Sequence, residues 1–125
     1  MEIVESPRRG VGVKAMNLSS VCALFGAAGV ALGAFGAHGL KKRVQDERRL
    51  NAWKTGAEYH LIHAVAAYAA ASAGKTRAAQ LFLGGIALFS GSLYAFGGSG
   101  VMLFAHTAPL GGLTLIGAWV VLALF

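Results

Sequence analysis

The chain has 125 residues, enough for one domain, and is 56% hydrophobic with only 13% charged residues, against about 25% charged in ordinary soluble domains. Its eleven Lys and Arg give a formal charge of +6. They cluster between long uncharged stretches with no aromatic-interleaved basic groove, which excludes nucleic acid as partner, and a lone Cys22 excludes an intrachain disulfide.

Residues 1–16 read as a polar extension whose Glu2 and Glu5 speak against a mitochondrial presequence. The first apolar run, 17–37, carries no charge. Gly29 and Gly33 form a G-x-x-x-G pair on it, and Gly26, Gly33 and Gly36 continue a small-residue surface of the kind that lets membrane helices approach. The run ends in GAFGAHGLKKR, 33–43, which invites a phosphate-loop reading. A dinucleotide loop needs glycine where Phe35 stands, and a Walker loop needs a different spacing before its lysine. The glycines are therefore expected to be the packing surface and exit of the helix, with Lys41–Arg43 at the headgroups.

A polar loop is predicted over 38–55. The i,i+4 pairs Lys42–Asp46 and Arg43–Glu47 support a short surface helix there, and Trp53 is expected at headgroup level. The second helix is predicted at 56–73. In the turn GKTR, 74–77, Gly74 suits a left-handed cap and Thr76 the start of the next helix. The third helix, 78–97, has Gly84 and Gly91 bracketing one face. An apolar loop, 98–105, should dip toward the interface before Thr107 caps a fourth helix, 106–125, with Pro109 in its first turn and Gly112 and Gly117 lightening it.

Each run suffices for a span of about 20 apolar residues, so the fold class is an all-α integral membrane protein, a bundle of four transmembrane helices. Lys and Arg number five on one side and six on the other, a balance too even for the positive-inside rule to set an orientation.

Helix order alone brings His38, Glu58, Tyr59, His60, His63, Tyr94 and His106 toward the membrane side that holds the 38–55 segment. This candidate polar or ligand site contains all four histidines of the chain. Ionisable groups at membrane depth face the bundle interior and find partners. The leading reading is a structural hydrogen-bond network. The alternative is a small-molecule, proton, metal or haem site. His60-x-x-His63 is not the H-E-x-x-H pattern of paired metal ligands, so no metal or cofactor is assigned. There is no nucleophile elbow, and Ser90 and Ser92 are expected to bind backbone or a neighbouring helix.

GAFGAHG (33–39), YHLIHAVA (59–66), LFSGSLY (88–94) and PLGGLTLIGAW (109–119), in this order, resemble the transmembrane protein 256 family, small bacterial and mitochondrial membrane proteins of unknown function. The resemblance implies a multi-pass protein of the bacterial inner membrane or, in eukaryotes, the mitochondrial inner membrane. It supplies no reaction and no catalytic residues. Together these readings lead to a non-enzymatic structural or accessory protein in the lipid bilayer. It would pack through glycine faces against itself or against partner subunits, a respiratory-chain complex being the natural eukaryotic host.

Overall fold

The structure, a computed structural model, describes residues 16–125; the polar extension up to residue 15, with Arg8, Arg9 and Lys14, lies outside them. All regular elements among the described residues are helices. α1 runs Leu18–Arg43, α2 Glu47–Ser72, α3 Thr76–Ser99 and α4 Met102–Leu124. Each helix packs antiparallel on the one before it. α1 also touches α3, while α1 and α4 share no substantial interface, so the bundle is an open, folded layer. α1, α3 and α4 are long and apolar enough to cross a membrane. α2 is not among them, because its first turns and Glu58, His60 and His63 dilute its hydropathy. It runs between α1 and α3, where those polar groups find partners.

The helix boundaries differ from the sequence expectation at three places. First, 38–55 is not a loop. α1 continues past Phe35 through a widened turn of π type, Gly36–Leu40, and a last turn, Lys41–Arg43. Only 44–46 link it to α2, whose first N–H groups are capped by Asp46, its carboxylate accepting from the Arg48 N–H at 2.9 Å. Leu40, Val44 and Trp53 close over this corner as a small core of their own. The break falls between Lys42 and Asp46 and between Arg43 and Glu47, so neither expected pair shares a helix. The ion pair found there between described residues is Arg48–Asp46, 3.8 Å.

Second, Thr76 is the first residue of α3 and caps nothing. Gly74 does take the left-handed conformation, φ 78°. Lys75 N–H donates to Ala70 O (2.8 Å) and Gly74 N–H to Ala71 O (3.1 Å), the paired bonds of a Schellman ending.

Third, α4 begins at Met102, because α3 ends at Ser99 and only Gly100 (φ 77°) and Val101 form the link. Thr107 and Pro109 therefore lie inside the helix, Thr107 donating to Phe104 O at 2.8 Å. A membrane helix accommodates such a proline because neighbouring groups take up the freed carbonyl.

The main core is built of small side chains. Ala64, Ala67 and Ala70 of α2 meet Ala78, Ala79 and Phe82 of α3, with Cys22 of α1 and Leu115 and Ala118 of α4. Outward faces are apolar on every helix: Leu24 and Val30, Ile62 and Val65, Leu88, and Leu110, Leu113, Ile116 and Val120 are all exposed. A protein with this surface is solvated by lipid.

Candidate functional site: two carbonyl clamps between α1 and α2

The polar interior is organised by two equivalent contacts one heptad apart. In the first, His60 reaches across from α2 so that its Nε2 lies 2.7 Å from the carbonyl oxygen of Phe25 on α1, while its Nδ1 lies 2.8 Å from the hydroxyl of Tyr94 on α3. A carbonyl can only accept, so Nε2 carries the proton and Nδ1 accepts from the tyrosine. One neutral imidazole thereby ties three helices together. In the second, the Trp53 indole N–H donates to the carbonyl of Leu32 on α1 at 2.7 Å.

Both contacts need the same opening. A side chain on residue i+4 of a helix lies over the carbonyl of residue i, and the residues four beyond Phe25 and Leu32 are Gly29 and Gly36. A Cβ at Gly29 would stand 3.1 Å from the His60 ring and 2.9 Å from Leu61; at Gly36 it would stand within 2.3 Å of the Trp53 ring. Gly29 and Gly36 are seven apart on α1, and His60 and Trp53 seven apart on antiparallel α2, so each helix presents its clamp residue to its notch in register. Between them a Cβ at Gly33 would stand 3.7 Å from that of Ala57, and further along one at Gly26 would stand 4.0 Å from that of Ala64, both ordinary contact distances.

Other polar side chains also secure helix against helix. Buried Ser90 of α3 donates to Gly56 O of α2 at 2.7 Å. The hydroxyls of Ser92 and Thr107 join α3 to α4 at 2.6 Å. Arg49 forks onto the last carbonyls of α3, Nε to Gly97 O (3.0 Å) and a terminal nitrogen to Gly98 O (2.8 Å), and Lys75 Nζ donates to Leu122 O near the end of α4 (3.1 Å). A cation placed on a helix C-terminus satisfies orphan carbonyls and opposes the helix dipole. Arg49→Ala is expected to lower stability by about 1 kcal/mol, with faster amide exchange at Gly100 and Val101. Arg49→Lys should recover only part of this, because an ammonium lacks the fork; thermal unfolding in detergent and hydrogen exchange check both.

Of the candidate polar set, the structure unites His60 and Tyr94. His63, one turn deeper, does something separate: its Nδ1–H donates to the Tyr59 carbonyl (2.7 Å), and its ring lies among those of Tyr59, Phe82 and Trp119 at centroid distances of 5.7–5.9 Å. His38 is exposed and donates to Ala34 O of its own helix at 3.0 Å. Glu58 and His106 are exposed. Among the described residues no three His, Cys, Asp or Glu side chains converge as metal ligands. Trp53 is only 8% exposed and bonded inward to α1.

The glycines singled out on α3 and α4 are not the ones at which these two helices approach each other. Beyond their own helices, a Cβ at Gly84, Gly91 or Gly117 would meet no atom of the described residues within 4 Å, and one at Gly112 would meet only the Phe89 ring at 3.7 Å. The close approach is made by their neighbours: a Cβ on Gly111 would fall 2.1 Å from the backbone nitrogen of Phe89, and one on Gly85 2.5 Å from Leu115. Sequence reasoning also missed Trp53 and Arg49 as cross-helix donors. The matched seven-residue spacings of Gly29/Gly36 and Trp53/His60 are the signal that could have found the clamps.

The family described as protein of unknown function (DUF423) matches residues 32–112. The chain is 38% identical over 101 residues to the UPF0382 membrane protein YwdK of Bacillus subtilis, covering 74% of this chain and 81% of that one. It is 37% identical over 113 residues to a UPF0382 membrane protein of Schizosaccharomyces pombe, covering 83% and 96%. It is 39% identical over 98 residues to the UPF0382 inner membrane protein YgdD of Escherichia coli, covering 72% and 73%. No solved structure matches.

Proposed function

The chain belongs to the membrane-protein family described as protein of unknown function (DUF423), and from that premise we propose that it is a non-enzymatic structural or accessory subunit, packing in a larger membrane complex or with copies of itself. One observation carries this reading: the interior polar side chains are committed to the architecture. His60, Trp53 and Ser90 each bond a neighbouring helix, and among the described residues no buried side-chain nitrogen or oxygen lacks a partner. Such groups hold a scaffold rather than await a substrate. The glycines facing away from the bundle, Gly84, Gly91 and Gly117, offer the close-approach surface a further helix would use. In a mitochondrion, the respiratory-chain complexes of the inner membrane are the hosts to examine first.

Native mass spectrometry after gentle solubilisation tests the proposal. A homo-oligomer or a co-purifying subunit is expected, and Gly117→Leu should weaken that assembly while the monomer stays folded. A strictly monomeric protein with no co-purifying partner overturns it.

A further inference from the structure

A cleft of about 610 Å³ opens between α1 and α2 at the end where α1 leaves the apolar zone, a size typical of small-molecule sites. Its floor is Gly33, Ala37, Ala57 and Leu61, where small side chains leave the space unfilled. Its rim carries Lys41 and Lys54 together with Glu47 and Glu58. All four rim residues are exposed, and none forms an ion pair with another described residue. From Gly33 to Lys41 the cleft follows eight residues of helix, about 12 Å. Glu58 apart, its inner end is therefore apolar and lies beside the hydrocarbon, and its outer end, with Lys41 and Glu47, is charged and lies among headgroups. That is the shape of an amphiphile, not of a water-soluble metabolite.

The charges narrow the choice. Two lysines supply donors for a phosphate, and two carboxylates on the same rim cancel their charge. A headgroup bearing only negative charge meets the glutamates as repulsion. One with an ammonium beside its phosphate satisfies both signs, and a primary ammonium donates N–H to carboxylates as a quaternary one cannot. The geometry points to a bound phospholipid of the phosphatidylethanolamine class, its phosphate on Lys41 and Lys54, its ammonium toward Glu47 at the outer end and one acyl chain along the Gly33–Leu61 floor.

Tryptophan quenching tests this directly. Trp53 borders the cleft, and Trp119→Phe leaves it the sole tryptophan of two. In phosphatidylcholine vesicles, phosphatidylethanolamine with brominated chains is expected to quench Trp53 more than brominated phosphatidylcholine or phosphatidylglycerol at equal mole fraction. Lys54→Ala should weaken the apparent affinity roughly fivefold, and Glu47→Gln should abolish the preference over phosphatidylcholine. Both side chains are exposed, so circular dichroism should show the helices unchanged. Equal quenching by all three lipids, stronger quenching by phosphatidylglycerol, or an excess that survives both substitutions overturns the proposal. Native mass spectra of the unsubstituted protein give a second readout: a retained phosphatidylethanolamine is expected, and its loss at the energy that strips phosphatidylcholine counts against it. A monomer can hold this lipid, so the result is separable from that of the oligomer test.

Discussion

Gly111→Ala is expected to be the most damaging single-methyl change in the chain. The added Cβ would lie 2.1 Å from the Phe89 nitrogen, 2.6 Å from its Cα and 2.7 Å from the Leu88 carbonyl carbon. These are backbone atoms of α3, held by that helix's own hydrogen bonds, so no rotamer change relieves the overlap. α3 and α4 must move apart along an interface that also buries Leu115, Ala118 and Phe82. Overpacking by one methyl costs about 1–3 kcal/mol where side chains can shift. A backbone that cannot shift puts the loss at the upper end of that range or beyond, about 3 kcal/mol. Gly85→Ala should cost less, since its nearest neighbour is the flexible end of Leu115. Gly112→Ala and Gly117→Ala serve as controls: the first meets only a ring at 3.7 Å and the second nothing within 4 Å. Unfolding midpoints of the four variants in one detergent decide the matter. A Gly111→Ala protein as stable as the Gly117→Ala protein would show that α3 and α4 do not approach as described.

These glycine pairs also show why part of the fold was legible in the sequence and part was not. Long uncharged runs fix how many helices there are, because backbone polar groups in lipid must be satisfied within each segment. They do not fix helix rotation. Gly84 and Gly85 are about 100° apart around α3, as are Gly111 and Gly112 around α4, and composition offers no reason to prefer one of each pair. Rotation likewise scatters the histidines. Helix order puts His60 and His63 at one end of the bundle, yet His60 turns to α1 and Tyr94 while His63 turns to Phe82 and Trp119. Boundaries failed for a different reason. Thr107 and Pro109 carry the chemistry of a helix start, but in a membrane helix Pro is tolerated internally, and the real break lies at Gly100–Val101. The polar stretch 38–55 reads as loop because its charges suit water. Its first helical turns are instead held by the Asp46 cap, by Arg49 on α3 and by Trp53 on α1.

His60→Leu should be the most damaging change at a polar position. It fills similar space but removes two bonds at once, leaving the Tyr94 hydroxyl without its acceptor and the Phe25 carbonyl without its cross-helix donor. A buried polar group stripped of its partner costs about 1–3 kcal/mol, and interhelical bonds in membranes sit toward the low end because the unfolded chain finds substitutes there. About 2 kcal/mol is the expected loss for the pair. Tyr94→Phe removes one bond and keeps the ring packed 4.8 Å from Trp53, so about 1 kcal/mol follows. The double variant should lose less than the sum, since His60→Leu has already orphaned the hydroxyl that Tyr94→Phe deletes. Gly29→Ala approaches the same contact from α1: its Cβ, 3.1 Å from the imidazole, pushes the ring off the Phe25 carbonyl, whereas Gly33→Ala, 3.7 Å from Ala57, should be mild. If α1 were only a small-residue packing stripe, the two alanines would cost alike. If Gly29 is a notch that opens a carbonyl to His60, then Gly29→Ala abolishes the protected Nε2–H proton signal of His60 and Gly33→Ala preserves it.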